Sequence, residues 1–335
     1  MGRNELLNKA NKKKDDEYYT LYADIASELP KYKDQLKGKR VICPCDWDES
    51  YNEEIVFLDE SKVSSKELFG NDYSIKNIDI PQTKHKIEKD LSLIKCNFVK
   101  FLVAHAEDYE IQSISVSGYN PETEEGVKFQ DVDYSKYDLV ITNPPFSNFI
   151  EFINTMFINK LQFLVIGPQT AIGYKDIFPH IMDNEMWLGY HYHLTGFVKS
   201  DGTVLKKNDN LPRSCCWFTN LDVSYRHDKM ILTETYNPKT NPTYFNYDAI
   251  DVKKTLAVPY DYDGLMGVPL TFLQKYNPDQ FEIVGLSGKV AGKMPSTLPA
   301  NLKGGPAFYL QSSDGTFKRL FGKMLVRNKF VIKDE

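Results

Sequence analysis

No apolar run in the 335-residue chain reaches the roughly 18 residues needed to cross a bilayer. Its first stretch, "MGRNELLNKANKKKDDEYYT", carries charges where a secretory leader carries an apolar core. Leu6 stands where a myristoylation signal has Ser or Thr. A cytoplasmic protein with no membrane partner is therefore expected. Cysteine is scarce: Cys43 and Cys45 form C-P-C, Cys96 is isolated, and Cys215 and Cys216 are adjacent. None has C-x-x-C spacing, which excludes a zinc ribbon and a disulfide framework, and no metal site is expected. Tryptophan is rare as well. Three Trp stand against 21 Tyr and 20 Phe, rings that pack a core or stack on planar ligands such as bases. Positive charge is also in deficit, with a net charge of −5 and a pI near 5.8, which argues against binding phosphates through overall charge. The distribution points the other way. "FKRLFGKMLVRNKFVIK" near the end has six basic residues and no acid, "KANKKK" and "VKSDGTVLKKNDNLPR" are smaller clusters, and acids gather in 46–60 and 107–133.

The remaining composition, 41% hydrophobic and 26% charged, is that of a globular chain long enough for a large domain and a smaller one. Short runs rich in β-branched and aromatic residues recur at 40–45, 98–104, 126–131, 137–143, 161–168, 186–193 and 215–223. Helices are expected over 17–36, 86–97, 147–160 (capped by Ser147) and 174–184. This alternation predicts an α/β fold with a doubly wound, mostly parallel sheet, and the continuously apolar runs suit central strands covered on both faces. After about residue 225 Pro, Asn, Tyr and Gly dominate, predicting a C-terminal module, 226–335, made largely of loops. The polar stretch 49–85 reads as an insertion into the first domain, 1–225.

One apolar run, "YDLVITNPPFSNF" (137–149), stops at Asn143-Pro144-Pro145-Phe146. Ligands of open α/β sheets bind beyond the carboxyl ends of the strands, where this tetrapeptide should lie. Two prolines offer no N–H, and Pro144 forces Asn143 into an extended conformation, so carbonyl acceptors are fixed at the strand tip. An exocyclic amine on a planar ring suits that arrangement. With its two hydrogens held by Asn143 Oδ1 and the Pro144 carbonyl, the nitrogen moves toward tetrahedral geometry and its lone pair is freed. Phe146 stacks on the ring, and an electrophile such as the sulfonium methyl of S-adenosylmethionine can be attacked.

At this point the sequence resembles the N6-adenine DNA methyltransferases, more narrowly the EcoRI-type modification methylases, over most of its length. The likeness rests on "DDEYYTLYADI" (15–25), "VICPCDWD" (41–48), "DLVITNPPFSNF" (138–149), "MWLGYH" (186–191), "CCWFTNLDV" (215–223), "NYDAIDV" (246–252) and "YDYDGLMGVPLTFLQKYNPDQFEIVG" (260–285). It implies an S-adenosylmethionine-binding sheet with Tyr19 and Thr20 near the methionine carboxylate and Asp46 at its amino group or a nearby water. Glu107, with Asp108 as its rival, would take the ribose hydroxyls, and Asp131 the cofactor's adenine amine. The usual glycine-rich D-x-F-x-G-x-G loop is replaced here by "CPCDWDES". The substrate implied is an adenine flipped out of double-stranded DNA, held between Phe146 and Phe197. The C-terminal module would read a short A/T-containing palindrome related to GAATTC, with Lys318 and Arg319 of its basic tail on phosphates. A monomer is expected, with a cognate restriction endonuclease as functional partner. Two alternatives stay open: methylation of an RNA base or protein glutamine, and a DNA-binding protein on a degenerate methyltransferase fold. His191-x-His193 lacks a third metal ligand, "GKVAGKM" (288–294) misses the phosphate-loop spacing, and no G-x-S-x-G elbow supports a hydrolase.

Overall fold

The computed structural model describes residues 18–46, 58, 75–89, 94, 96–120, 125–199, 203–206, 214–290, 307–320 and 322–332. Most of the 49–85 stretch, the "KANKKK" cluster and part of 198–213 lie outside them. The chain divides into two compact units, residues 1–171 with 188–222 and residues 172–187 with 223–335.

The first unit is built on a sheet whose described strands run in the order β3-β4-β2-β7-β8-β12-β9. These are β2 (Arg40–Cys43), β3 (Lys76–Asn77), β4 (Ser113–Val116), β7 (Leu139–Thr142), β8 (Gln162–Pro168), β9 (Trp187–Leu188) and β12 (Cys215–Thr219). β2 runs parallel to β4 and β7, and β7 parallel to β8; β3 opposes β4, and β12 opposes β8. The sheet is thus mostly parallel. Val41, Ile42, Leu139, Val140, Ile141 and Phe163 through Ile166 are fully buried, as unbroken apolar strands require. From β2 the chain travels outward to β4 on one side and returns to β7 on the other. The order therefore reverses between β2 and β7, and open α/β sheets bind ligands beyond the carboxyl ends of the strands at such a reversal. At the opposite end Asp138 accepts from the Arg40 backbone N–H (2.9 Å), Nε (2.9 Å) and a terminal guanidinium nitrogen (2.8 Å). The guanidinium holds the Asp138 carboxyl down at about 2 and locks the start of β7 against β2.

Helices α1 (Tyr22–Glu28), α2 (Ile80–Lys89), α3 (Asn97–His105) and α4 (Phe149–Ile158) belong to this unit. Residues 98–104, expected as a strand, form α3 instead. Phe98, Val99, Phe101, Leu102 and Val103 are buried, a helical stripe that two valines disguise in a short run. The expected helix 86–97 is likewise displaced, with helices at 80–89 and 97–105. Of the expected strand 126–131 only the hairpin of β5 (Tyr119–Asn120) with β6 (Glu125–Gly126) and a 3₁₀ turn at Phe129–Asp131 exist. Residues 17–36 open as β1 (Tyr18–Thr20) before α1, and Pro30 begins a separate 3₁₀ turn, Leu29–Tyr32. β1 pairs antiparallel with β10 (Gly196–Lys199), which pairs with β11 (Val204–Lys206).

The second unit holds more regular structure than its composition predicts. Four strands, β13 (Ile250–Asp251), β14 (Met266–Pro269), β15 (Phe281–Leu286) and β18 (Lys323–Asn328), form a sheet in the order β13-β14-β18-β15. β16 (Phe308–Gln311) and β17 (Phe317–Leu320) form a hairpin, and α5 (Phe178–Met182) stands where 174–184 was expected helical. Phe308 stacks on Tyr244 at 4.5 Å in a core shared with Ala249 and Leu325. Inside it Lys323 Nζ lies 2.8 Å from Asp251 Oδ1 and donates to the Val252 carbonyl, while Tyr244 OH donates to Asp251. Only glycine fits at position 267, since a Cβ there would strike the Tyr244 hydroxyl. Residues 172–187 join this unit through Arg226, whose guanidinium lies over the Trp187 ring at 4.2 Å and donates to Asn184 Oδ1.

Candidate active site

The two strands at which the order reverses end in the residues that sequence reasoning singled out. Asp46, just past β2, is 7% exposed. Thr142, the last residue of β7, donates its hydroxyl to Asp46 Oδ2 at 2.5 Å, and the Cys96 thiol at the start of α3 adds a second hydrogen bond. Burial outweighs both bonds and raises the Asp46 carboxyl to about 7. Burial and the nearby Asp46 charge raise the thiols of Cys43 and Cys96 well above their usual range, so these cysteines are protonated and unreactive. β2 and β4 are tied at the same level: Asp46 N–H donates to the Ser117 carbonyl, and Ser117 N–H to that of Cys43.

Directly after Thr142 comes the N-P-P-F turn. Asn143 and Pro145 are half-buried, and Pro144 and Phe146 are buried. The Pro145 carbonyl accepts from the Asn148 N–H at 3.0 Å, closing the 3₁₀ turn Phe146–Asn148. One of the turn's carbonyls, that of Pro145, is therefore engaged locally. Ser147 does not cap α4; its hydroxyl donates to the Asn148 side chain, which itself donates to Glu151. Phe146 meets Phe197 edge-on, ring centres 6.3 Å apart, so the two rings touch each other and do not face each other across a base-wide gap, contrary to the expectation of a base held between them. Phe197 lies in β10, and its register partner in β1 is Thr20.

This pairing brings β1 to the site. Thr20 is 2% exposed, its carbonyl accepts from Asn97 Nδ2 at 2.8 Å, and its hydroxyl is buried with no hydrogen-bond partner. An orphaned buried hydroxyl and a carboxyl titrating near 7 fit the carboxylate and ammonium of a free amino-acid moiety, so the residues suit the methionine end of S-adenosylmethionine. Sequence reasoning missed Tyr134. Its hydroxyl is also buried and without a partner, and burial together with the Cys45 thiol raises its pKa. Nothing in the spacing of "DYSKYDLV" marks it.

Two expected residues stand elsewhere. Glu107 follows a helix rather than a strand and sits at the amino-terminal end of the sheet, where neighbouring Glu110 accepts from Gly38 N–H ahead of β2. Its side chain is 85% exposed and paired with Lys84 at 2.9 Å. It lines a cleft of about 690 Å³ with Ile80, Lys84, Glu88 and Ile111, at the end of the sheet opposite the N-P-P-F turn. The structure thus does not bring Glu107 to the strand tips. The strand next to β2 on the side away from β7 is β4, which ends at Val116. Asp131 is exposed on its 3₁₀ turn, which packs on α4 through Phe129 and Phe152. Asp108 pairs with Lys33. His191 is bonded to buried Glu28, and no group of three metal-ligating side chains occurs among the described residues. Lys318 and Arg319 lie in β17 of the second unit. Of the six basic tail residues, Lys323 is buried against Asp251 and Arg327 pairs with Glu282 at 3.3 Å, so the tail offers less free charge than its sequence implies.

A family model described as "Adenine-specific methyltransferase EcoRI" matches residues 6–329. The chain is 35% identical over 297 residues to Type II methyltransferase M.EcoRI of Escherichia coli, covering 84% of this chain and 89% of that one. It is 30% identical over 299 residues to M.MgeORF184P of Mycoplasma genitalium (83% and 85% covered), and 29% identical over 347 residues to M.MpnI of Mycoplasma pneumoniae (95% and 94%). No solved structure matches.

Proposed function

The chain belongs to the EcoRI family of adenine-specific methyltransferases, and on that footing we propose that it methylates N6 of an adenine flipped from double-stranded DNA, using S-adenosylmethionine. The observation that carries this reading is the meeting, at one end of β2 and β7, of Asp46, Thr142 and the N-P-P-F turn. S-adenosylmethionine, when bound, supplies an electrophilic methyl group. Thr20 would donate to its carboxylate and ionised Asp46 would accept from its ammonium. Asn143 Oδ1 and the Pro144 carbonyl accept the two amine hydrogens of the target base, and Phe146, backed edge-on by Phe197, forms a wall of the base pocket. No strong base is needed, because the nitrogen becomes acidic once methylated. The target is a short, A/T-containing palindrome, and a restriction endonuclease of the same specificity is the functional partner. Labelled cofactor incubated with unmethylated bacterial genomic DNA should yield N6-methyladenine on nucleoside analysis. Label found only in RNA or protein, or nowhere, rejects the proposal.

The Asp46 shift sets a pH dependence. A carboxyl raised to about 7 is largely protonated at pH 6 and cannot balance an ammonium group. Cofactor affinity should therefore rise above pH 6 and fall again once the cofactor's own amine, ordinarily titrating at about 8, loses its proton, as titration calorimetry would register, and Asp46→Asn should bind weakly at every pH. The sign for stability is opposite. The ligand-free fold loses this group's contribution as pH climbs from the ordinary carboxylate range through about 7.

Lys318 and Arg319 are assigned to DNA phosphates, whereas Lys323 and Arg327 are neutralised internally. Replacing Lys318 with Ala should weaken binding to all duplexes alike and reduce the slope of log affinity against log salt by about one. Lys323→Met together with Asp251→Leu, which removes the buried pair as a unit, should leave that slope unchanged. Fluorescence anisotropy across a salt series distinguishes the two.

A further inference from the structure

We propose that Glu28, assisted by Asp24, is a positioning residue for methyl transfer: its carboxylate docks the connection 189–195 and thereby sets Phe197 against Phe146. The inference rests on the functional reading above and extends it to residues with no apparent role in the chemistry.

Glu28 ends α1, is 0% exposed, and accepts four hydrogen bonds. They come from Tyr32 OH (2.8 Å), Tyr190 N–H (2.7 Å), His191 N–H (2.9 Å) and His191 Nδ1 (2.6 Å). Asp24, one turn earlier on the same helix, accepts from the Thr195 N–H (3.0 Å) and hydroxyl (2.9 Å). Residues 189–195 between β9 and β10 contain neither helix nor strand; Gly189 N–H and Leu194 N–H bond to the β12 carbonyls of Trp217 and Cys215 near its two ends, Gln169 donates to the Tyr192 carbonyl, and the two carboxylates fix Tyr190, His191 and Thr195. Gly189 completes the cradle, because a Cβ there would overlap Glu28 Oε1 and crowd Trp217. Burying two carboxylates on a short helix is a costly way to fix a surface loop, since each must be fully satisfied to be tolerated. What lies at the loop's far end accounts for the arrangement. Gly196 begins β10, and Phe197 is the next residue.

The same α1 follows β1, whose Thr20 is the register partner of Phe197. One β1–α1 unit therefore holds β10 by backbone pairing and its lead-in segment by carboxylates. Misplacing a pocket wall by about 1 Å lowers rate far more than ground-state binding, with losses on the order of 100-fold.

The test measures kcat, KM for unmethylated bacterial genomic DNA, and S-adenosylhomocysteine affinity for Glu28→Gln, His191→Ala, His191→Asn, Phe197→Ala and the double variant E28Q/F197A. Glu28→Gln keeps the shape but presents an amide where donors converge. Its kcat should fall roughly 10- to 100-fold while cofactor affinity stays within about twofold. His191→Ala should fall less, and His191→Asn, which retains a donor, should recover most of that loss. The double variant should be no slower than Phe197→Ala, since Glu28 acts through that ring. Wild-type kcat in Glu28→Gln, a parallel loss of cofactor affinity, or multiplicative effects in the double variant would overturn the assignment. Should Glu28→Gln fail to fold, the Ala and Asn variants of half-exposed His191 carry the comparison, and equal activity in the two would refute it. A wild-type chain that methylates no DNA removes the functional reading and this one together; an active wild type with unimpaired variants removes this one alone.

Discussion

Asn143→Ala is expected to lower the rate of methyl transfer by about 10²- to 10³-fold, the range seen when one preorganised polar group is removed from a reacting centre. Cofactor affinity should be unchanged, because the methionine end is assigned to Thr20 and Asp46. The size follows from what the amide oxygen must do. An amine conjugated with a purine ring has little lone-pair density, and only an acceptor rigidly placed on the strand tip can draw its hydrogens out of the ring plane. Asn143 has that rigidity, since β7 is buried at every residue and the following Pro144 restricts its backbone. Single-turnover kinetics separate the chemical step from product release and are the measurement of choice. A variant within threefold of wild type would rule out the acceptor role.

Asp251→Ala should destabilise the protein by roughly 3–5 kcal/mol, the usual penalty for leaving one member of a buried ion pair uncompensated. Its partner, Lys323, is 11% exposed at the side chain and too enclosed to recover hydration without local opening. Tyr244 would lose an acceptor as well, keeping only its longer bond to the Gly267 carbonyl. The double replacement Asp251→Leu with Lys323→Met removes both charges and should regain much of the loss. Urea unfolding followed by circular dichroism reads both effects; equal midpoints for the single and double variants would contradict the buried-pair explanation.

Where a stretch declares its own environment, the sequence is legible. Runs such as 139–142 and 162–168 are apolar at consecutive positions because both sheet faces are covered, and the N-P-P-F turn can be placed at a strand tip from that fact alone. Residues 98–104 mislead because seven apolar-rich residues satisfy either period, and only the flanking Asn97 and His105 lengthen the segment to a helix. β4 is overlooked for the converse reason. Its alternation Ser113-Ile114-Ser115-Val116 is a strand pattern, but half its residues are serine, and the buried Ser115 is satisfied by Asn77, 38 positions away. The Glu107 assignment fails with the strand on which it depended. The clamp of Glu28 on Tyr190 and His191 spans more than 160 residues, and no local signal foretells that a glutamate ending a short helix will be fully enclosed.

The chain passes from the first compact unit to the second at residue 172, returns at 188, and leaves again at 223. Transplanting the second unit whole from one relative to another would therefore need two pieces, 172–187 and the region from 223 onward. Arg226 and Trp187, one in each piece, should be carried across as a matched pair. A chimera joined once, near residue 222, would seat the incoming arginine over a foreign ring.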